Sequence, residues 1–170
     1  MAQPAAPTRD QNVDPRLPEK DLLKGFLDFN RDTVIRKVTG LTKDQATRRL
    51  VPTPTNLLGI VKHLAYVERG WFQRGLAGCD LPVPWTEDDP DADMRIEPNE
   101  TLESVIAFYR EAIAESDRII AASKLDDIER RDRPERKTLR WIMVHMIEET
   151  ARHVGQCDIL REQTDGSVGE

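Results

Sequence analysis

The stretch TLRWIMVHMIEETARHVGQCDILREQ, residues 138–163, decides the fold class of this 170-residue chain. It is predicted to form one long helix, the fourth of the chain. It also holds two of the chain's three histidines, His145 and His153, with Glu149 midway between them. On a helix, a spacing of four residues places the three side chains on one slanting stripe, with about 6 Å between neighbours. The stripe is either part of a metal site or an ordinary row of polar residues.

Three further long helices are predicted before this stretch. They occupy residues 18–40, 55–78 and 101–124, and a short helix with a capping-box pattern falls within residues 41–50. The connection 79–100 contains four prolines and many acidic residues, and it is far longer than the usual loop between bundle helices. It can therefore cross the end of a bundle. We predict an all-α four-helix bundle in the order up-down-down-up, with the long crossover loop between helices two and three.

Length and composition predict a single domain and exclude several classes of protein. The domain is predicted over residues 18–165, after a proline-rich mobile arm at 1–17 and before a polar tail at 166–170. The net charge of -6 argues against nucleic acid as a partner. No apolar run is long enough to span a membrane, and the first residues lack an apolar signal core, so we expect a cytoplasmic protein. Cys79 and Cys157 are expected to be reduced thiols.

The histidines and the glutamate of helix four are candidate metal ligands, together with a residue from another helix. The run from His145 to His153 spans about 12 Å, too far for all three residues to bind one ion. Helix four therefore supplies either His145 with Glu149 or Glu149 with His153, and His63 of helix two is the remaining histidine. Two imidazoles and one carboxylate leave open positions, which a catalytic metal needs. Zinc, nickel and ferrous iron all accept this set.

The alternative is that these residues form a surface ion pair or a satisfied hydrogen bond in the core. The apolar neighbours of His145 and of His63 favour burial over a solvated face, and a metal would remove the cost of burying unpaired polar groups. Cys157 continues the spacing of four after Glu149 and His153 and is a competing ligand.

Three segments together give the chain a resemblance to a known family. Residues 55–72, the acidic loop "PWTEDDPDADMRIEP" and residues 139–162 resemble the DinB-like superfamily of four-helix metalloproteins. More narrowly, they resemble its actinobacterial branch related to mycothiol S-transferases and to the amino-terminal domain of mycothiol-dependent maleylpyruvate isomerase. The resemblance covers residues 18–165. It implies the ligand set His63, Glu149 and His153, with His145 as a pocket residue. It also marks a departure at Gln156, where many relatives carry histidine.

The resemblance implies a metal-dependent transferase that joins a low-molecular-weight thiol such as mycothiol to an electrophilic small molecule. It implies a divalent metal, zinc first and nickel or iron as alternatives, and a homodimer as the assembly. We also expect pocket residues that contact the thiol or the electrophile, and two arginines as anion contacts: Tyr66, Trp141, His145, Arg69 and Arg152. The rival hypotheses are a non-enzymatic metal-binding stress-response protein of the same fold and a metal-free interaction module.

Overall fold

The computed structural model describes residues 13–168 and shows an all-helical bundle in that part of the chain. The helices are α1 (Glu19–Val38), α2 (Lys43–Ala46), α3 (Leu57–Glu68), α4 (Leu102–Ala122) and α5 (Leu139–Asp165), and a π-helix (Arg69–Leu76) continues α3. Among the described residues no strand is present beyond an isolated bridge between Ile128 and Thr138. The predicted fold class, an all-α bundle with four long helical segments, is confirmed.

Side-chain caps begin most of the helices where the sequence predicts. Thr42 and Thr101 form capping boxes at the starts of α2 and α4. Asn56 caps α3, since its side-chain oxygen accepts a hydrogen bond from the Gly59 amide at 2.8 Å. Thr138 caps α5 in the same way. Each cap satisfies amide groups that the first turn of a helix leaves without a partner.

Polar contacts at both ends of the bundle fix the direction of α1 against α5. At their amino-terminal ends, Arg140 donates a hydrogen bond to Glu19 at 2.7 Å. At their carboxyl-terminal ends, Lys37 and Asp158 form an ion pair at 2.7 Å. The two helices therefore run in the same direction along their shared contact.

Two apolar clusters fill the described core, one above the other. The first combines the carboxyl-terminal halves of α1 and α5 with α3 and the amino-terminal half of α4. The second combines the opposite halves of α1, α4 and α5 with the π-helix, around Phe72 and Met143. The first therefore contains α3 and the start of α4, and the second contains the π-helix that continues α3 and the end of α4. This arrangement fits the predicted up-down-down-up order.

The second predicted helix is continuous in space but changes its hydrogen-bonding pattern at Arg69. At the end of the π-helix the Ala77 amide donates to the Phe72 carbonyl, which is an i→i−5 bond. The sequence pattern did not predict this change, because the apolar periodicity of eight residues does not distinguish a π-helix from an α-helix.

The chain outside the bundle is described only in part. Residues 1–12 of the predicted mobile arm and residues 169–170 of the predicted tail lie outside the described residues. Val13 lies over Gly25 of α1, where an added methyl group would meet it at 3.0 Å. Within residues 13–168, none of the helices is both long and apolar enough to cross a membrane. The predicted cytoplasmic location and the predicted homodimer stay predictions.

Candidate metal centre

Three side chains from two helices converge at one point between α3 and α5. One ligand atom from each of His63, Glu149 and His153 lies within 4.8 Å of the others. Oε1 of Glu149 is 3.2 Å from Nε2 of His153 and 3.6 Å from Nε2 of His63. The rings of the two histidines meet edge to face, with their centroids 5.0 Å apart. The spacing of four residues thus brings together Glu149 and His153, with His63 arriving from the neighbouring helix.

Hydrogen bonds at the far side of each imidazole orient both rings. Nδ1 of His63 lies 2.8 Å from a carboxylate oxygen of Asp93, and Nδ1 of His153 lies 2.8 Å from Oε1 of Gln156. Both partners can accept a hydrogen bond from Nδ1, and the Glu149 carboxylate can accept one from either Nε2. With a cation bound by the three groups, each ring would carry its proton on Nδ1 and leave the lone pair of Nε2 for the cation. Such outer hydrogen bonds are what fixes the tautomer of histidines that bind metals.

Burial and mutual contact set the direction of each pKa. Burial favours the neutral form of His63, but Asp93 and Glu149 outweigh it and raise the pKa of His63. Burial, and then the charge of His63, lower the pKa of His153. Burial acts to raise the pKa of Glu149, but the two histidines outweigh it and lower that pKa. The three groups thus offer one carboxylate, one neutral imidazole, and one imidazole for which a proton and a metal compete.

Asp93 reaches His63 because the crossover loop packs closely on the start of α3. A methyl group at Gly59 would lie 2.4 Å from the carbonyl oxygen of Met94, so glycine allows this approach. Lys62 holds the loop from the other side, donating to the carbonyl of Arg95 at 2.7 Å. The loop therefore supplies a residue of the site in addition to joining two helices.

A cleft of about 370 Å³ opens beside His63. It follows one face of α3 and the π-helix, where residues recur at intervals of three and four, and it is closed by the crossover loop and by the loop before α5. Its lining combines aromatic rings, three arginines and two acids: His63, Tyr66, Val67, Gly70, Trp71, Arg74, Gly75, Trp85, Pro90, Asp93, Glu129, Arg131 and Arg133.

Of the predicted pocket residues, only Tyr66 lines this cleft. His145 stacks on Trp141 with ring centroids 5.0 Å apart and meets Trp71 edge to face at 4.8 Å. His145 lies outside the convergent group of His63, Glu149 and His153, and its role as a pocket residue stays a prediction. Trp141 is 42% exposed and does not line the cleft. Its ring contacts Trp71, which does line the cleft, with centroids 5.3 Å apart.

The other predicted residues lie away from the convergent group. Arg152 is exposed and pairs with Glu148 at 3.1 Å. Arg69 lies over the rings of Tyr66 and Phe108 and faces a different groove. Cys157, the competing ligand, lies in the first apolar cluster, and burial raises its pKa to about 12.

Sequence reasoning missed several residues that the structure brings to the site. Asp93 lies in the acidic loop, where five other acids gave no reason to choose it. Gln156 stood out as a departure from relatives, but its contact with His153 was not predicted. The arginines of the loop before α5 lie among many other charged residues in the sequence, and nothing there distinguishes them as cleft residues.

Comparison with known proteins identifies the family. The model of the mycothiol-S-transferase family matches residues 22–166. A crystal structure described as that of the conserved protein of a locus from Enterococcus faecalis superposes with a TM-score of 0.64 at 14% identity, over 89% of this chain and 99% of that chain. At that identity the likeness shows the fold alone. None of the curated proteins matches the sequence. Since the family model covers most of the chain, this protein belongs to the mycothiol-S-transferase family.

Proposed function

We propose that this protein is a metal-dependent transferase that joins a mycothiol-like thiol to an electrophilic small molecule. The observation that carries the proposal is the convergence of His63, Glu149 and His153 within 4.8 Å, beside an open cleft. The family match supplies the thiol and the type of reaction. A thiol must become a thiolate before it attacks, and a metal held by the convergent group would favour the thiolate.

The donor set suits a divalent metal. Two imidazole nitrogens and one carboxylate are ligands for zinc, nickel or ferrous iron, and three protein ligands leave positions open for a thiol. Zinc is our first choice. When bound, such a cation lowers the pKa of a thiol near it and favours the thiolate. Asp93 and Gln156 hold the two imidazoles with their Nε2 atoms toward Glu149, which is the orientation that binding requires.

The chain's own cysteines do not supply the nucleophile. Cys157 is buried in the core, and its pKa is raised to about 12, while Cys79 is exposed and outside the cleft lining. The reacting sulfur therefore belongs to a cosubstrate. The thiol loses a proton to solvent, its sulfur forms a bond to the electrophilic carbon, and a leaving group departs with the electron pair of the bond that breaks.

Metal analysis of protein purified without an affinity tag is the direct test. We expect one divalent ion per chain in the wild type and its loss in His153→Ala. His145→Ala is the matched control, because this histidine lies on the same helix outside the group of three, and we expect it to retain the metal. Absence of metal from the wild type across several metal supplies would refute the site.

Transfer is tested separately, with mycothiol and a panel of electrophiles. We expect the metal-loaded protein to exceed the rate of the His153→Ala variant for at least one electrophile. A protein that binds metal but gives no rate above this variant across the panel would instead support the alternative, a non-enzymatic metal-binding protein.

A further inference from the structure

The cleft beside His63 carries an excess of positive charge on a chain whose net charge is -6. Its lining holds the three arginines Arg74, Arg131 and Arg133 against two acids, Asp93 and Glu129. A cationic cleft on an acidic protein concentrates anions locally, since the remaining surface repels them. Which of the arginines is free to bind an anion depends on how the two acids are paired.

Both acids are already engaged. Asp93 lies 2.8 Å from Nδ1 of His63. Glu129 is 1% exposed and accepts two hydrogen bonds from Arg133, at 2.7 and 2.5 Å, and a third from the Lys137 amide at 2.8 Å. Arg133 is therefore committed to Glu129, and neither acid has an oxygen turned to the remaining arginines within bonding distance.

Of the three arginines that line the cleft, Arg74 and Arg131 are the two without a partner among the described residues. In the described part of the chain, neither guanidinium makes a hydrogen bond, an ion pair or a contact with an aromatic face, although Arg74 is half-buried. The loop that carries Arg131 is fixed against the π-helix, because the Arg130 and Arg131 amides both donate to the Gly75 carbonyl at 3.1 Å. The two guanidiniums thus line the same cleft on a fixed backbone.

Aromatic rings flank the same cleft. Tyr66 and Trp85 meet edge to face at 6.3 Å, and Trp71 lies under the guanidinium of Arg133 at 4.9 Å. Between them Gly70 leaves open space, since a methyl group there would meet no atom within 4 Å. Rings beside an open floor favour a flat, unsaturated carbon frame over a branched one.

We propose that this cleft binds an electrophile with a carboxylate on an aromatic or unsaturated frame, and that Arg74 is the main partner of the carboxylate, with Arg131 beside it. That the ligand is an electrophile rests on the proposed function, whereas the carboxylate-binding site is inferred from the residues of the cleft alone. Arg74 follows His63 by eleven residues on the same face, roughly 15 Å along the axis. The carboxylate therefore lies at the end of the cleft away from the three converging ligands.

The test compares benzoate with its uncharged analogue benzamide, by ligand-observed NMR titration of the protein as purified. We expect the wild type to bind benzoate more tightly than benzamide. Arg74→Gln should lower the affinity for benzoate about tenfold to a hundredfold, which corresponds to the loss of a charge-assisted hydrogen bond, and should leave the affinity for benzamide unchanged. Arg74→Lys should retain part of the affinity. Arg118→Gln is the control, an exposed arginine of α4 that pairs with Glu115.

Other outcomes overturn the proposal. Equal affinity for benzoate in Arg74→Gln and Arg118→Gln would remove Arg74 from the site, and so would a wild type that does not distinguish benzoate from benzamide. Loss of benzoate binding in His153→Ala but not in Arg74→Gln would place the carboxylate at the three converging ligands instead. If benzoate competes with the thiol and not with the electrophile in transfer assays, the anion belongs to the thiol. The titrations need no turnover, so a failure of the proposed reaction is distinguishable from a failure of this site.

Discussion

A buried ion pair between α1 and α3 gives the sharpest prediction about stability. Nε and Nη2 of Arg31 each donate to one oxygen of Glu68 at 2.7 Å, and the two side chains are 1% and 0% exposed. Nη1 of Arg31 also pairs with Asp117 of α4 at 2.9 Å. Burial opposes the charge of Arg31, but Glu68 outweighs it and raises the pKa of Arg31 above its ordinary value. Arg31 therefore stays charged.

Arg31→Met would leave the Glu68 carboxylate buried without its bidentate partner. Breaking a buried pair by removing one member costs about 3–5 kcal/mol, because the other charge stays without compensation. Domains of this size have a free energy of unfolding of about 5–15 kcal/mol, so the loss is a large fraction of the total. Replacing both members by methionine should recover most of the loss, since no charge is then left buried.

Urea unfolding followed by far-ultraviolet circular dichroism measures these differences. The control is Arg152→Met, which breaks the Glu148 pair in which both side chains are 62% exposed. Exposed pairs of this kind contribute only about 0.3–0.5 kcal/mol. Equal losses in Arg31→Met and Arg152→Met would refute the reasoning. A double variant no more stable than Arg31→Met would show that the loss comes from packing and not from an unpaired charge.

Three further predictions follow from single residues. Iodoacetamide should modify exposed Cys79 and spare buried Cys157, whose pKa is raised to about 12; mass spectrometry of native protein measures this, and equal labelling would contradict the burial. Asp93→Ala should weaken metal binding about tenfold to a hundredfold, because the His63 ring loses the hydrogen bond that orients it. Competition with a chromophoric chelator measures the affinity, and an unchanged value would show that the aspartate has no such role. Gly155→Ala should raise the free energy of unfolding by about 0.5–1 kcal/mol in urea titrations, because the methyl group meets nothing within 4 Å; a decrease would reveal a contact that the structure lacks.

The fold was predictable because its signals are local. Apolar periodicity and the capping-box pattern within residues 41–50 are recognised within one or two turns of helix, and the structure has helices at the predicted places. The π-helix was not predictable in this way. The segment packs against a distant part of the chain: the buried Glu129 approaches Gly75 closely, and a methyl group there would meet the carboxylate at 2.6 Å.

The candidate site was predictable only where its members are close in sequence or carried by the family resemblance. Glu149 and His153 share a helix face, so geometry alone brings them together. His63 was the remaining histidine, and the resemblance selected it. Asp93 is thirty residues from its partner along the chain, and nothing in the acidic loop distinguishes it from its neighbours until the loop is folded onto α3.

The π-helix connects the stability of the bundle to the shape of the cleft. The buried Glu68 is the last residue before it, and Trp71 and Arg74 follow within it. A regular α-helix turns about 100° per residue and a π-helix turns less, so a regular α-helical register over Arg69–Leu76 would rotate the later side chains about the axis. Arg74 would then leave the cleft face, although the helix would gain regular hydrogen bonds. Wide turns of this kind occur frequently at functional sites. The irregular segment is therefore best understood as what places the cleft residues beside His63, with the Arg31–Glu68 pair holding its first turn in position.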